Sequence, residues 1–422
     1  MMAAFSAVFS FLVRMAILTL FMTPAVSKAT RPPESLKHGL NKYFPALLRF
    51  ESTSEFERSD LHSEIREEAE RILNSVVGED LSEGSPQGDD RVRALAWNIE
   101  RGTMFDGIVK ALRSNEDMRD RDLMLLTELD HGMARSGNRY VAGDLARELG
   151  MNYAFAPVYI ALQKGGGVEV DTEGENTASI HGLAMFSKWP MRNIHAIPLP
   201  NGKDKMRGKE KRLGWLRALI ADIDHPVGTF RAVTVHLDAH CSRAHRRRQM
   251  RIILDHLDTL PEMPTLIGGD WNTTTFNSQN SRRAIMGYWR RVLMGPKRVA
   301  SKHLPHPERY FEKGLFGDVE RRGYDFRSLN EVGTGTLHYH VESIEKNTNL
   351  RDWVPAWCFP FIFWAANRVG GTVSGRLDWF AGKGIKLAPG SSPKTVGELT
   401  DTDGTPLSDH DAITVDFVPV MK

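Results

Sequence analysis

Cysteine is nearly absent: two residues, Cys241 and Cys358, serve a chain of 422. Two thiols supply no disulfide framework and cannot complete a structural zinc site by themselves. They allow at most one bridge, and two unrelated thiols are the simpler reading. Net charge is equally sparse. Fifty-five Lys and Arg stand against 53 Asp and Glu, a formal charge of +2, so no global field selects a polyanion and any basic patch is local. No internal repeat of fixed period is evident. What is there is the composition of a soluble globular protein, 41% hydrophobic and 26% charged, long enough to bury a large core as one large domain or two to three ordinary ones.

The first thirty residues differ from the rest. Met1 to Ser27 is almost wholly apolar, broken by Arg14, and the run Met15 to Met22 precedes Thr23-Pro24-Ala25. Ser27-Lys28-Ala29 then puts small residues at the two positions a signal peptidase reads. This resembles a secretory signal peptide over residues 1–29 and predicts a secreted or periplasmic protein. An uncleaved membrane anchor and a misassigned start ahead of a shorter signal are the alternatives, but the apolar run is short for a span.

Residues 30–90 are expected to be a helical extension and linker. Leu61, Ile65, Ala69, Ile72 and Leu73 mark one apolar stripe within Ser54 to Val77, and Gly78 to Asp90 is rich in Gly, Ser, Asp and Pro. From Arg91 the pattern becomes short apolar strands with helices between them. Strands are predicted at Arg93 to Ile99, Leu123 to Glu128, Tyr153 to Tyr159, Gly182 to Ser187, Ile194 to Leu199, Trp215 to Ile223 and Thr229 to Leu237. Pro264 to Ile267, Arg376 to Phe380 and Ala412 to Val418 complete the set. Met104 to Leu112, Val141 to Leu149 and Ala244 to Leu257 have helical spacing. The pattern suggests two packed sheets with helices outside them.

The chain appears organised around Leu266-Ile267-Gly268-Gly269-Asp270-Trp271-Asn272-Thr273. A buried strand runs into two glycines, and an acid and an amide follow with one residue between them. In extended backbone both face the same side; the competing reading is ordinary turn chemistry. Other predicted strand ends carry polar groups too: Asn98 and Glu100, Glu128, His236, and Asp378, with Ser408-Asp409-His410 just before the last strand. Each alone has a structural explanation as a turn cap or a hydrogen-bonded histidine. Their recurrence points to one site assembled at a sheet edge.

The chemistry suggested is hydrolysis at phosphorus. Glu100, Glu128 and Asp409 offer the oxygen ligands that suit Mg²⁺ or Mn²⁺. Asp270 is the candidate to orient or deprotonate water, Asn272 to donate to a phosphoryl oxygen, and His236 and His410 to donate protons to the phosphate. Asp378 is the candidate partner that fixes a histidine's tautomer.

Trp97-Asn98-Ile99-Glu100, Leu126-Thr127-Glu128, His236-Leu237, Gly269-Asp270-Trp271-Asn272, Arg376-Leu377-Asp378-Trp379-Phe380 and Ser408-Asp409-His410 together resemble the endonuclease/exonuclease/phosphatase superfamily, in its order, from about Arg91 to Val418. The resemblance implies an α/β four-layer sandwich, two central mostly antiparallel sheets flanked by helices, as a catalytic domain over 91–422 with an insertion around 282–365. It makes Glu128 the main metal ligand, with Glu100 and Asp409 beside it. Asn98 would orient ligands or phosphate, Asp270 and Asn272 would act on water and transition state, and His410 with Asp378 would contact phosphate. His236 matches the second histidine of the deoxyribonuclease and sphingomyelinase branches, where abasic-site enzymes generally have tyrosine.

Four segments bear on substrate choice. Lys203 to Arg212 and Arg243 to Arg251 are basic and read either as solvated faces or as a phosphate-tracking surface. Arg282 to Asp352 is a long, irregular insertion in which Asn330 reads as a surface hydrogen-bonding residue first and as a phosphate contact second. Trp353 to Trp364 concentrates aromatic residues, as core or as a loop touching a membrane surface. The expected activity is metal-dependent phosphodiester hydrolysis, nuclease-like first. A sphingomyelinase-like phospholipid diesterase or an inositol-phosphate phosphatase is the alternative, and a noncatalytic binding module is the reading from another class. The expected partner is the substrate itself, nucleic acid or a phospholipid head group.

Overall fold

The computed structural model describes residues 33–81, 90–208, 210–273, 281–340 and 370–420, together with 360, 363–364 and 367–368. The expected signal segment, Cys358 and most of Trp353 to Trp364 lie outside the described residues. Arg31–Lys422 forms one compact unit.

The chain builds the first sheet with β1 (Val77–Glu79), β2 (Val92–Arg101), β3 (Leu123–His131), β4 (Asn152–Ala161) and β5 (Ile180–Ser187). It crosses to the second sheet for β6 (Met191–Leu199) and returns for the short β7 (Arg212–Gly214). Strands β8 (Leu216–His225), β9 (Gly228–His236) and β10 (Thr265–Asp270) then extend the second sheet. A separate ribbon pairs β11 (Leu337–His340) with β12 (Thr372–Gly375). Strand β13 (Asp378–Lys383) closes the second sheet, and β14 (Ile385–Leu387), β15 (Lys394–Val396) and β16 (Ala412–Pro419) finish the first. Among the described residues the first sheet runs β1-β4-β5-β3-β2-β16-β14, with β7 on β4 and β15 on β16; the second runs β13-β10-β9-β8-β6. Among the described residues only β2 with β3 and β9 with β10 are parallel pairs, each joined through a helix, as parallel neighbours require.

Side-chain alternation explains why the sheets stack. On β2, Val92, Ala94 and Ala96 face the second sheet, while Leu95, Trp97 and Ile99 face the outer helices. Strand β3 repeats this with Leu123 and Leu125 inward, Met124 and Leu126 outward. Both faces are covered, so the strands read as continuous apolar runs. The helices Asp60–Asn74, Phe105–Ser114 and Val141–Leu149 cover the first sheet through Ile65, Ile72, Ile108, Leu112, Val141 and Leu145. The helix Arg243–Leu257 and the helix Lys313–Arg321 pack on the second sheet through Met250, Ile253, Leu254, Phe316 and Val319. Gly268 shows how close the sheets come: a Cβ there would meet Leu125 Cδ1 of the facing sheet at 2.7 Å.

Two expectations change. Residues 33–81 contain the expected helix, Asp60–Asn74, but also a strand and core residues: β1 pairs with β4, and Leu36, Leu40, Leu47 and Phe56 join the outer core of the first sheet. Arg282 to Asp352 is largely regular where described, with helices at Ser281–Leu293 and Lys313–Arg321. Its Tyr324 and Phe326 are core residues, and Asp325 exchanges backbone hydrogen bonds with Gly382 at 2.8 and 2.9 Å. No described helix is long and apolar enough to cross a membrane.

Candidate active site

The register sets the site. His236 on β9 lies opposite Asp270 on β10, and Asp270 lies opposite Asp378 on β13. Three chemistry-bearing side chains therefore stand in a row on three adjacent strands. In the other sheet, β2 and β3 both break register near their ends, between Asn98 and Arg101 and between Leu126 and Leu129. The bulges put Glu100, Arg101 and Glu128 into left-handed backbone, with φ of 43°, 69° and 56°. Left-handed backbone costs a non-glycine residue on the order of 1 kcal/mol, and such strain tends to gather at functional sites.

Asn98 joins the two sheets. Its Nδ2 donates to Glu128 Oε1 at 3.1 Å and to Asp270 Oδ2 at 3.3 Å, while its Oδ1 accepts from the Glu100 amide at 3.1 Å. Ser408 Oγ donates to the Asn98 carbonyl at 2.6 Å, and Trp97 Nε1 donates to the His410 carbonyl at 2.8 Å. These bonds clamp the loop before β16 onto β2. The Asp409 amide donates to Glu100 Oε2 at 3.1 Å. His410 Nδ1 lies 2.8 Å from Asp378 Oδ2, and its Nε2 lies 3.9 Å from Asp270 Oδ2. His236 Nε2 reaches the same Asp270 oxygen at 3.5 Å and Glu128 Oε1 at 3.9 Å. All nine predicted site residues thus form one connected set.

Asn272 is there for a different reason than strand geometry suggests. Its φ is 50°, so the backbone turns rather than extends, and its amide donates to Asp270 Oδ1 at 2.8 Å. Its Nδ2 donates to Leu237 O at 2.9 Å and to Asp270 Oδ2 at 3.1 Å. The turn reading holds for the backbone, and the Asn272 side chain braces Asp270. Gly269 allows the approach: at φ 130° a Cβ would lie 2.2 Å from Val235 O.

Electrostatics separate the acids. Burial pushes Asp270 up to about 6, with His410 opposing and Asp378 reinforcing. Burial, Asp409 and Glu128 push Glu100 up to about 8. Burial works on Glu128 in the same direction, yet Arg101, His236 and His181 outweigh it and hold this carboxyl well below the usual range. Burial opposes charge on His410, but Asp378 and Asp270 outweigh it and keep the imidazole protonated.

Two groups escaped sequence reasoning. Thr336 Oγ1 donates to Asp378 Oδ2 at 2.7 Å and accepts from the amides of Leu377 and Asp378 at 3.0 and 3.1 Å. Arg101 Nη1 lies 3.7 Å from Glu100 Oε1 and 4.0 Å from Glu128 Oε2, while its Nε lies 3.2 Å from Glu169. The Glu100-Arg101 adjacency is the only sequence signal for it. Asn330, read as a surface residue first and a phosphate contact second, is instead a buried pin that donates to Phe326 O and Phe380 O at 2.6 and 2.7 Å.

Several members of the basic segments are committed inside the protein, while Arg243, Arg248 and Arg251 are exposed. Arg246 is fully buried against Glu312, with Nε and Nη2 at 3.0 and 2.5 Å from one carboxylate oxygen. Arg247 pairs with Asp318. Lys211 Nζ donates to the carbonyls of Leu48 and Phe50 at 2.8 and 2.7 Å, and Arg212 pairs with Glu210. Cys241 is a buried free thiol donating to Asp238 O at 2.9 Å.

The sequence profile of the endonuclease/exonuclease/phosphatase family matches residues 95–410, three quarters of the chain and all the strand ends that carry the site. The chain belongs to that family. No curated protein matches it by sequence. Solved structures with a similar fold include a family member from Beutenbergia cavernae, at 16% identity over 78% of this chain and 72% of that one, TM-score 0.46. Another, from Bacteroides vulgatus, has 13% identity over 78% and 98% of the two chains, TM-score 0.42. The human Nocturnin catalytic domain with bound sulfate has 14% identity over 82% and 96%, TM-score 0.40.

Members of the family are generally metal-dependent phosphoesterases, and the donor set here fits a divalent cation. Asp270, Asp378 and His410 present ligand atoms within 4.8 Å of one another. Several of these ligand atoms already have hydrogen-bond partners within the protein. Asp378 Oδ2 is already shared by His410 and Thr336, and the oxygens of Asp270 accept from Asn98 and Asn272. Glu100 and Glu128, with Asp409 beside them, form an acidic cluster in which burial first, and then repulsion from Asp409 and Glu128, raises Glu100. An all-oxygen set of this kind suits a hard cation.

Proposed function

We propose that this protein hydrolyses phosphodiesters, with Mg²⁺ or Mn²⁺ held by Glu128, Glu100 and Asp409. The observation that carries the proposal is the convergence of Asn98, Asn272, His236 and His410 on one buried carboxylate, Asp270, between 3.1 and 3.9 Å from its Oδ2. The cation, when bound, offsets phosphate charge and stabilises the leaving oxygen. Asp270, raised toward neutrality, takes the proton of the attacking water. His410, kept protonated by Asp378, donates to a phosphoryl oxygen, and His236 faces the same point from the neighbouring strand. Asn98 and Asn272 hold Asp270 in place, so the base is positioned before substrate arrives.

A nuclease is the first substrate reading from sequence, yet Arg246, Arg247 and Lys211 within its basic segments have internal partners. Phospholipid head-group diesters therefore stand level with polynucleotides. A panel of DNA, RNA, phospholipid, inositol phosphate and bis-aryl phosphodiester, each with Mg²⁺ and with chelator, tests the proposal. Cation-dependent release from at least one diester is expected; monoester turnover alone would overturn the diester assignment. We also infer export from the apolar segment ahead of Ser27-Lys28-Ala29. Mature protein whose first residue is Met1 would contradict this.

A further inference from the structure

The helix Ser281–Leu293 carries an apolar arc wider than the part that seats it on the protein. Ile285, Tyr288 and Val292 are half-buried and seat it on the protein. Met286, Trp289 and Leu293 point outward, 71%, 41% and 86% exposed. At 3.6 residues per turn these three fall within about 60° of one another, a single stripe rather than scattered surface residues. Scattered exposed apolar residues are ordinary; a contiguous stripe of large ones is not.

Charge frames the stripe. Arg282 lies one turn before Met286 along it, Arg290 and Arg283 border it, and all three are exposed. From Ser281 to Pro307 the sequence has seven Lys and Arg and no Asp or Glu, in a protein whose two signs nearly balance over the whole chain. Lys297, Arg298 and Lys302 continue the exposed basic surface beyond the helix. The segment is also tied to the active site. Thr273 Oγ1, three residues past Asp270, donates to Arg376 O at 2.7 Å, and the Leu304 carbonyl accepts from the Arg376 amide at 3.1 Å, two residues before Asp378.

We propose that this face docks on an anionic phospholipid bilayer. The outward Met, Trp and Leu enter the boundary between head groups and acyl chains, while the arginines snorkel to phosphate and carboxylate groups. Charge complementarity selects the negatively charged leaflet. The apolar stripe selects lipid over nucleic acid, since a polynucleotide backbone offers nothing to bury Met286 and Leu293 against. The proposal does not depend on the hydrolytic reading, because docking requires no cation.

The test is co-sedimentation of the full chain, in chelator, with vesicles of phosphatidylcholine alone and of phosphatidylcholine mixed with phosphatidylserine. Binding to the mixed vesicles is expected, with at least about tenfold weaker binding to neutral ones. M286S/L293S and R282E/R290E should each weaken binding to mixed vesicles about tenfold or more without shifting the melting temperature. Wild-type protein that ignores both vesicles, or variants that bind as well as wild type, would overturn the proposal. So would variants that lose only duplex DNA binding, or only self-association in sedimentation velocity, because those outcomes assign the face to nucleic acid or to a second copy.

Discussion

Replacing Thr336 with valine keeps the side-chain shape and deletes one hydroxyl that serves three partners. A hydroxyl has one proton and two acceptor sites, and all are used: the proton on Asp378 Oδ2, the acceptor sites on the Leu377 and Asp378 amides. Thr336 has no exposed surface, so water cannot substitute. Leaving a buried donor unmade costs about 1–3 kcal/mol. With partial relaxation of the two amides and loss of the bond to the carboxylate, about 3 kcal/mol is expected. For a large domain each kcal/mol moves the melting temperature by roughly 2 °C, so calorimetry should show Thr336→Val melting about 6 °C below wild type. Thr336→Ser retains the hydroxyl and should lose far less. Because Asp378 orients His410, Thr336→Val should also lower turnover on an aryl phosphodiester at 15–20 °C, where the variant is fully folded, by about tenfold. A Thr336→Val variant that melts within a degree of wild type, or is no more damaging than Thr336→Ser, would refute this account of how the carboxylate is held.

Arg246→Met strands the buried Glu312 carboxyl, already pushed up to about 7 by its burial against the opposing pull of Arg246; the expected loss is about 3 kcal/mol in urea unfolding. Arg246→Met/Glu312→Leu should recover most of it, and a variant that changes only ligand binding would restore the surface reading of that helix. His131 is buried and held down to about 4, by burial first and then by His38. The unfolded chain takes up a proton near pH 6.5 that the folded chain refuses until about 4, so stability falls as pH drops through that window. The gap is worth about 3 kcal/mol, and His131→Phe, which keeps the ring against Tyr140, should flatten the pH dependence of unfolding over that range. Arg101→Met removes a cation about 4 Å from both ligand carboxylates, so Mn²⁺ should bind about tenfold tighter by calorimetric titration, on the order of 1 kcal/mol. Weaker Mn²⁺ binding would mean that Arg101 organises the ligands rather than competing with the cation.

The strand ends were legible because β2, β3, β9 and β10 are mostly apolar and each carries a candidate polar group at or near its C-terminal end. The family order of the motifs then supplied what periodicity cannot, which end of which strand meets which. Thr336 was invisible for a physical reason: it lies in no periodic segment, and its importance comes from backbone amides 41 and 42 positions away. Charge was read less well than hydrophobicity. A run such as Arg243 to Arg251 looks like a solvated or polyanion-binding face, and only the fold reveals that Glu312 and Asp318 neutralise its central members. The glutamates at positive φ were found as acids, whereas the bulges that aim them were not, since no glycine marks them. The outward stripe of Ser281–Leu293 had the same difficulty, because helical spacing alone does not say which part of the apolar arc meets the protein.

The central claim is that Glu128 and its neighbours hold one cation for phosphoester hydrolysis, with Asp270 and His410 acting beside it. Calorimetric titration of Mn²⁺ into wild type and Glu128→Gln, with diester hydrolysis followed in the same samples, tests it most directly. The account predicts saturable binding by wild type, weakened by roughly a hundredfold in the variant, and loss of hydrolysis in step with loss of the cation. Unchanged Mn²⁺ affinity in a folded Glu128→Gln, or hydrolysis that persists in chelator, would contradict it.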